Sequence, residues 1–348
     1  MNRKTFLRSI TSAGLGTIVM NKTFASSSEK MVDSISSTVI PPYLKAGDTV
    51  GITCPANAMD IANIECYCNT LSKWGLNVKL GKTAGKRWQQ FGGTDKERLE
   101  DFQELIDDAS IKAILFGTGD YGTMRIIDKV RWDKFKQHPK WLVGRHDLTV
   151  VHLHVHSNLN VSTIHGDMSE NPSNDSGFSL KQSLFGAKTE YQMKSFEMNR
   201  IGRVHGKLVG GNLTLIQACT ATKSDMNTNG KILFIEDVSE YKYNIDRMMM
   251  SLKRSGKLDK LAGLVVGEFA ITRNNEEDTF DMRIEDMIWD KVKDYGYPVC
   301  FHFPAGHIVA NRALKMGVNY ELNVGREMVS LAEIVPPPPP VNVNIFQS

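Results

Sequence analysis

Short apolar runs and stripes at helical spacing take turns along the first half of the chain. Residues 48–53 read as a buried strand, 61–74 as a helix and 78–80 as a short second strand. Thr94 and Glu97 form a capping box, in which the Thr94 hydroxyl takes the Glu97 amide and Glu97 reaches back. Leu99, Phe102, Leu105 and Ile106 follow at helical spacing. A third strand is predicted over 112–116, a helix over 123–130, a fourth strand over 141–143 and a helix over 148–156. This alternation implies a parallel sheet with helices on both faces and sites at the C-terminal ends of its strands.

Residues 169–204 break the rhythm. They are rich in Ser, Asn, Lys and Gln with little apolar period, and predict a crossing linker between an N-terminal α/β domain over 41–168 and a C-terminal domain over 205–335. In the second domain a buried run at 206–210, a helix over 212–220 and a strand over 231–235 come first. Ile245, Met248, Met249 and Leu252 then mark an amphipathic helix, followed by a strand over 261–269 and a helix over 282–295. No internal repeat is visible.

The two ends read differently from the body. Arg3, Lys4 and Arg8 precede a short stretch of apolar or small residues, and Ala25 supplies a small residue before Ser26, so 1–25 have the pattern of an export signal. Residues 26–40 are Ser-rich and polar, a linker. The prolines from Pro336 to Pro340 fit neither a helix nor a central strand, so the folded part should end near Ile334 and leave 336–348 as a tail.

Composition narrows the classes. With 41% apolar residues and 42 Lys+Arg against 39 Asp+Glu in 348 residues, the chain can build real cores and is neither disordered nor a coiled coil. A net charge of +3 and the lack of a basic face argue against nucleic acid as a partner. No apolar run reaches the roughly 18 residues of a membrane helix. Five cysteines, an odd number without zinc-like spacing, read as free thiols. Neither a metal nor a cofactor is expected.

Several segments carry candidate chemistry. Gly117 to Gly122 match the dinucleotide fingerprint, with Asp147 placed where a ribose-binding acid might stand, but at least two strands precede it, whereas the fingerprint closes the first strand of its unit. Gly144-Arg145-His146-Asp147 forms a strand-to-helix turn with the geometry of a nucleophile elbow and His146 at its tip; Asp147 would serve equally as a helix cap. His152 and His156 share a helix face as a metal pair would, although half-buried structural histidines are the simpler reading. Glu236 and Asp237 end an apolar strand, where a carboxylate orienting a histidine would sit. His307 follows Gly306 in a loop.

Taken in order, several segments resemble the LD-carboxypeptidase family of serine peptidases, which also holds the microcin-immunity hydrolases. They are Phe91-Gly92-Gly93-Thr94-Asp95 with Arg98, Asp120-Tyr121-Gly122 with Arg125, Pro139-Lys140, Gly144 with Asp147-Leu148-Thr149, and His165-Gly166. Gly210-Gly211-Asn212-Leu213, the run from Leu233 to Asp237, Ile245-Asp246-Arg247-Met248 and Gly306-His307 with Asn311 continue it. The likeness spans about 42–334.

The resemblance implies a flavodoxin- or Rossmann-like N-terminal domain, a swivelling β-rich C-terminal domain and homodimers. It also implies a Ser–His–Glu triad that splits a peptide bond between an L- and a D-centre, typically releasing D-alanine from a murein tetrapeptide. Carried over by motif, Glu236 and His307 stand for the triad acid and histidine, while Asp120, Tyr121, Gly122 and Asp147 stand for the oxyanion and substrate-binding loop.

Two departures follow. The family's Gly-aromatic-Ser-Asp turn reads Gly144-Arg145-His146-Asp147 here, so His146 stands in place of the nucleophile. The family's Arg-Gly-Gly-Tyr-Gly loop reads Thr118-Gly119-Asp120-Tyr121-Gly122, which puts a carboxylate where an oxyanion would form and should oppose it. Three readings result: a hydrolase of this family, a muropeptide-binding protein on the same scaffold that does not cut, and a dinucleotide-dependent oxidoreductase.

Overall fold

The computed structural model describes residues 38–117, 119–168, 175–270, 280 and 282–335; residues 1–25, read above as an export signal, Thr118 and the proline-rich tail lie outside them. The first half runs β1 (Thr49–Thr53), α1 (Ile61–Lys73), β2 (Asn77–Leu80), α2 (Asp95–Asp107), β3 (Ile111–Phe116), α3 (Asp133–Gln137), β4 (Trp141–Gly144), α4 (Thr149–Asn158) and β5 (Thr163–His165). The second half runs α5 (Asp175–Leu184), β6 (Glu190–Lys194), β7 (Gly202–Asn212), α6 (Leu213–Ala218), β8 (Ile232–Val238), α7 (Lys242–Arg254), β9 (Gly263–Ala270), α8 (Ile284–Val292) and β10 (Val299–Cys300). Three strands finish it: β11 (Leu314–Met316), β12 (Asn319–Val324) and β13 (Met328–Glu333).

Two sheets result. The first has the order β11-β5-β4-β3-β1-β2, parallel from β2 to β5 with β11 antiparallel at one edge. The second has the order β10-β9-β8-β7-β12-β13-β6, parallel from β10 to β7 and antiparallel beyond. Helix α4 joins them. Residues Thr149 to Val155 are buried on every face, because the helix packs on β5 of the first sheet and on β7 and α6 of the second half. One apolar core therefore runs from Phe102, Ile114 and Leu142 through Val150 and Leu153 to Leu213, Leu233 and Leu264.

The sequence misleads in three places. The segment 123–130 forms two short 3-10 turns, Thr123–Arg125 and Ile127–Lys129, rather than a helix. The Thr123 amide is taken by the Asp147 carboxylate instead, at 2.7 Å. The stretch expected to be a linker contains α5 and the edge strand β6. Helix α5 escapes an apolar-period search because half of its buried face is serine: the Ser176 hydroxyl donates to Val309 O at 2.7 Å and the Ser179 hydroxyl accepts from the Ala313 amide at 3.0 Å. Strands β12 and β13 carry a clear period of two, with Tyr320, Leu322, Val324, Val329 and Leu331 all buried, and sequence reasoning passed over it.

A buried ion pair ties the last strands to the first sheet. Lys315 Nζ on β11 lies 2.9 Å from Glu333 Oε2 on β13, and both side chains are shielded from solvent. The Thr189 amide donates to Glu333, and Lys315 also donates to Ala187 O at 2.9 Å and lies over the Tyr43 ring. Glu333→Gln should cost about 3–5 kcal/mol, because it strands a buried ammonium. Replacing both partners by apolar residues (Lys315→Met with Glu333→Leu) should cost much less. Urea denaturation of the single and double variants checks the difference.

Candidate active site

Strand β4 ends at Gly144 and the chain turns at once into a 3-10 turn, His146–Leu148, that leads into α4. His146 has φ 54°, in the left-handed region that holds an elbow residue proud of its sheet. The loop after β3 packs directly against it. A Cβ on Gly119 would lie 2.6 Å from His146 Cβ, so only glycine permits the contact.

That contact decides the imidazole's state. The Asp120 amide donates to His146 Nδ1 at 3.1 Å. A neutral ring that accepts through Nδ1 carries its proton on Nε2. Burial, then the neighbouring His307, pushes the His146 pKa below its ordinary value, so the ring is neutral at pH 7.

The second sheet supplies the partners. Glu236 sits on β8, fully buried, and accepts from His307 Nδ1 through Oε2 at 2.5 Å. In its neutral form His307 is therefore the opposite tautomer, with a bare Nε2. Gly306, at φ 114°, permits the approach: a Cβ there would lie 2.8 Å from Glu236 Cβ. The His146 and His307 rings meet edge to face, with centroids 5.2 Å apart. Two imidazoles thus converge, His146 presenting a donor and a neutral His307 presenting an acceptor. A metal bound through both Nε2 atoms would need His146 to move its proton to Nδ1, against the Asp120 amide.

A chain of bonds links the elbow to the His307 loop. Arg145 pairs with Asp167 at 2.7 Å, Asp167 accepts from Asn311 at 2.9 Å, and Asn311 accepts from the Gly306 amide at 2.9 Å. Below the loop 119–122, the fully buried Arg98 donates to Gly93 O at 3.1 Å, to Gly122 O at 2.9 Å and to Pro55 O, and pairs with Asp95. It also lies 4.6 Å over the Phe91 ring. Arg98, His165 and Asn311 entered the sequence reading only as matching letters without a role. Their signal is three-dimensional: Arg98 serves the Pro55 and Gly122 carbonyls, Asn311 joins Gly306 to Asp167, and His165 faces Glu236.

The remaining sequence candidates separate. Tyr121 is exposed and leans on Phe91, and the Asp120 carboxylate accepts from Asn57 at 2.5 Å. Asp147 does not cap α4; its side chain is fully buried and fixes the Thr123 amide. Asp237 is held by Asn212 and Thr214, both at the start of α6. His152 donates to Gly144 O at 3.2 Å and His156 pairs with Thr163 at 3.0 Å, so both serve the fold rather than a shared ion. The glycine run of the dinucleotide reading opens a three-residue 3-10 turn, which lacks the aligned amides that cradle a pyrophosphate.

Burial raises the Asp147 carboxyl from 3.8 to about 6, against the Thr123 bonds that lower it. A raised native pKa stabilises the fold below the unfolded value and loses that contribution as pH climbs through the native one. The stability of the wild type relative to Asp147→Asn should thus fall by about 2 kcal/mol between pH 4 and pH 7. Denaturant midpoints across that range test this.

Profiles of known families match both halves: the LD-carboxypeptidase N-terminal domain over residues 50–166 and the LD-carboxypeptidase C-terminal domain over 205–322. A probable murein peptide carboxypeptidase of Bacillus subtilis is 33% identical over 300 residues, covering 82% of this chain and 92% of its own. The murein tetrapeptide carboxypeptidase of Pseudomonas aeruginosa is 26% identical over 282 residues, covering 77% and 91%. Among solved structures, the muramoyltetrapeptide carboxypeptidase of Oxalobacter formigenes superposes with a TM-score of 0.75 at 24% identity, over 83% of this chain and 99% of that one. The fold, the order of the motifs and the two matched halves agree, and the chain belongs to the LD-carboxypeptidase family.

Proposed function

We propose that the protein binds murein peptides of the L,D-tetrapeptide type alongside His146 and His307 and does not release D-alanine at the rate of a serine-bearing relative. The observation that carries this reading is the hydrogen bond from the Asp120 amide to His146 Nδ1. At the elbow a serine would offer a hydroxyl that His307, oriented by Glu236, deprotonates. His146 offers no hydroxyl: its one available lone pair is already taken by the Asp120 amide, and its protonated Nε2 has no lone pair free to attack. The imidazole also occupies an amide placed to serve an oxyanion, so the site gives a tetrahedral species little advantage over the planar peptide.

A phosphinate analogue of the scissile bond tests this. Serine enzymes bind transition-state analogues about 10²-fold or more tighter than substrate. Here calorimetry should give the analogue and the intact peptide similar Kd values. An analogue bound a hundredfold more tightly would contradict the blocked amide.

Two further parts belong to the same reading. The signal-like 1–25 would place the mature chain, beginning near Ser26, where murein is. N-terminal sequencing of native protein should start there, and a start at Met1 would count against export. The chain should form a homodimer, as the family resemblance implies, which light scattering at micromolar concentration checks.

A further inference from the structure

Glu236 is flanked by two imidazoles, and only one has a part in the triad arrangement. On the far side from His307, His165 Nε2 lies 3.7 Å from Glu236 Oε1, both groups fully buried. Neither nitrogen of His165 nor Oε1 of Glu236 has a hydrogen-bond partner among the described residues. The separation exceeds a direct hydrogen bond, yet a shift of about 0.7 Å closes it.

The surroundings of His165 are otherwise a core. It ends β5, in register with Gly144 on β4 and Leu314 on β11. The Phe234 ring meets it edge to face at 5.1 Å and the His152 ring lies 6.2 Å away. Leucine or phenylalanine would fill such a place without burying an unsatisfied N–H, at a cost of about 1–3 kcal/mol for an imidazole. What the imidazole adds is a donor opposite a buried carboxylate.

We infer that His165 is a positioning residue: its Nε2–H steadies Oε1 of Glu236, so that Oε2 stays locked on His307 Nδ1 and His307 keeps its bare Nε2 toward the cleft. Burial by itself would raise the Glu236 carboxyl. The two imidazoles outweigh it and hold the group below the usual carboxylate range. The other ionisable groups near the arrangement are His146 across the cleft, His152 behind His165 and Asp237 beside Glu236. The inference rests on reading Glu236 and His307 as an acid–histidine pair, but its test needs no peptide.

The test is proton–nitrogen NMR of the imidazoles in the whole chain. The wild type should show a downfield His307 Nδ1–H, shielded from exchange, that persists to low pH. In His165→Phe, which keeps the ring volume, the resonance should broaden away, or vanish at a pH higher by at least about one unit. His165→Gln, which keeps an N–H, should retain it. A folded Phe variant with the wild-type resonance and pH dependence would overturn the inference. If the Phe variant fails to fold, the Gln variant decides: retention supports the donor role, and loss in a folded Gln variant contradicts it. Peptide that fails to bind would sink the proposed function while leaving this resonance unchanged.

Discussion

Changing His146 to serine should raise D-alanine release from an L,D-tetrapeptide on the order of 10²–10³-fold over the unmodified protein. Loss of a triad nucleophile costs roughly 10⁶ in kcat in the serine-protease template, so this is a partial rescue. The substitution acts twice. It puts a hydroxyl within reach of His307, whose Nε2 is bare because Nδ1 is committed to Glu236. It also releases the Asp120 amide from His146 Nδ1. The rescue stays partial because the Asp120 carboxylate remains beside the freed amide. Adding Asp120→Gly should yield about a further tenfold. The backbone favours that change, since Asp120 sits at φ 70°, where glycine is unstrained. Its cost is one exposed hydrogen bond to Asn57. Two results would break this account: wild-type turnover that is substantial and survives His146→Ala, or a folded double variant with no gain.

Arg98→Met should have the largest effect on the fold around the cleft. The guanidinium is fully buried and reaches the Pro55, Gly93 and Gly122 carbonyls besides Asp95. Removing it leaves the buried Pro55 and Gly93 carbonyls without their donor and Gly122 O with only the Arg125 amide, and the loss should be about 3–5 kcal/mol. It should also loosen the loop that carries Asp120, so peptide affinity should fall together with the melting temperature. Lysine should not rescue it, because one ammonium cannot reproduce the planar fork that serves separate carbonyls. A variant that keeps both stability and affinity would show that the loop is held by its other contacts, such as Asp147 on the Thr123 amide.

The sequence carries the α/β alternation well, because β1, β3, β4, β8 and β9 are buried runs and α2 announces itself by its capping box. It carries less where tertiary contacts replace periodicity. Helix α5 packs through serine hydroxyls, and β5 is three residues long. Helix α4 is buried all round and shows no polar face, and His152 and His156 sit in it as the structural histidines that the simpler reading expected. At the site, the strand ends and the elbow were readable as positions, and His146, Glu236 and His307 do converge. The deciding bond, from an amide 26 positions away onto the ring that replaces serine, has no signature in the letters. Nor does the placement of His165 behind Glu236.

The central claim is that the cleft holds the peptide while the elbow cannot open it. The most direct measurement follows one sample of unmodified protein with a murein L,D-tetrapeptide: calorimetry for binding, then mass spectrometry of the same mixture over a long incubation for free D-alanine. The expected result is a saturable binding isotherm with D-alanine release slower by at least about 10³-fold than a serine-bearing relative gives at equal concentration. Release at the relative's rate, or a peptide that does not bind at all, would contradict it.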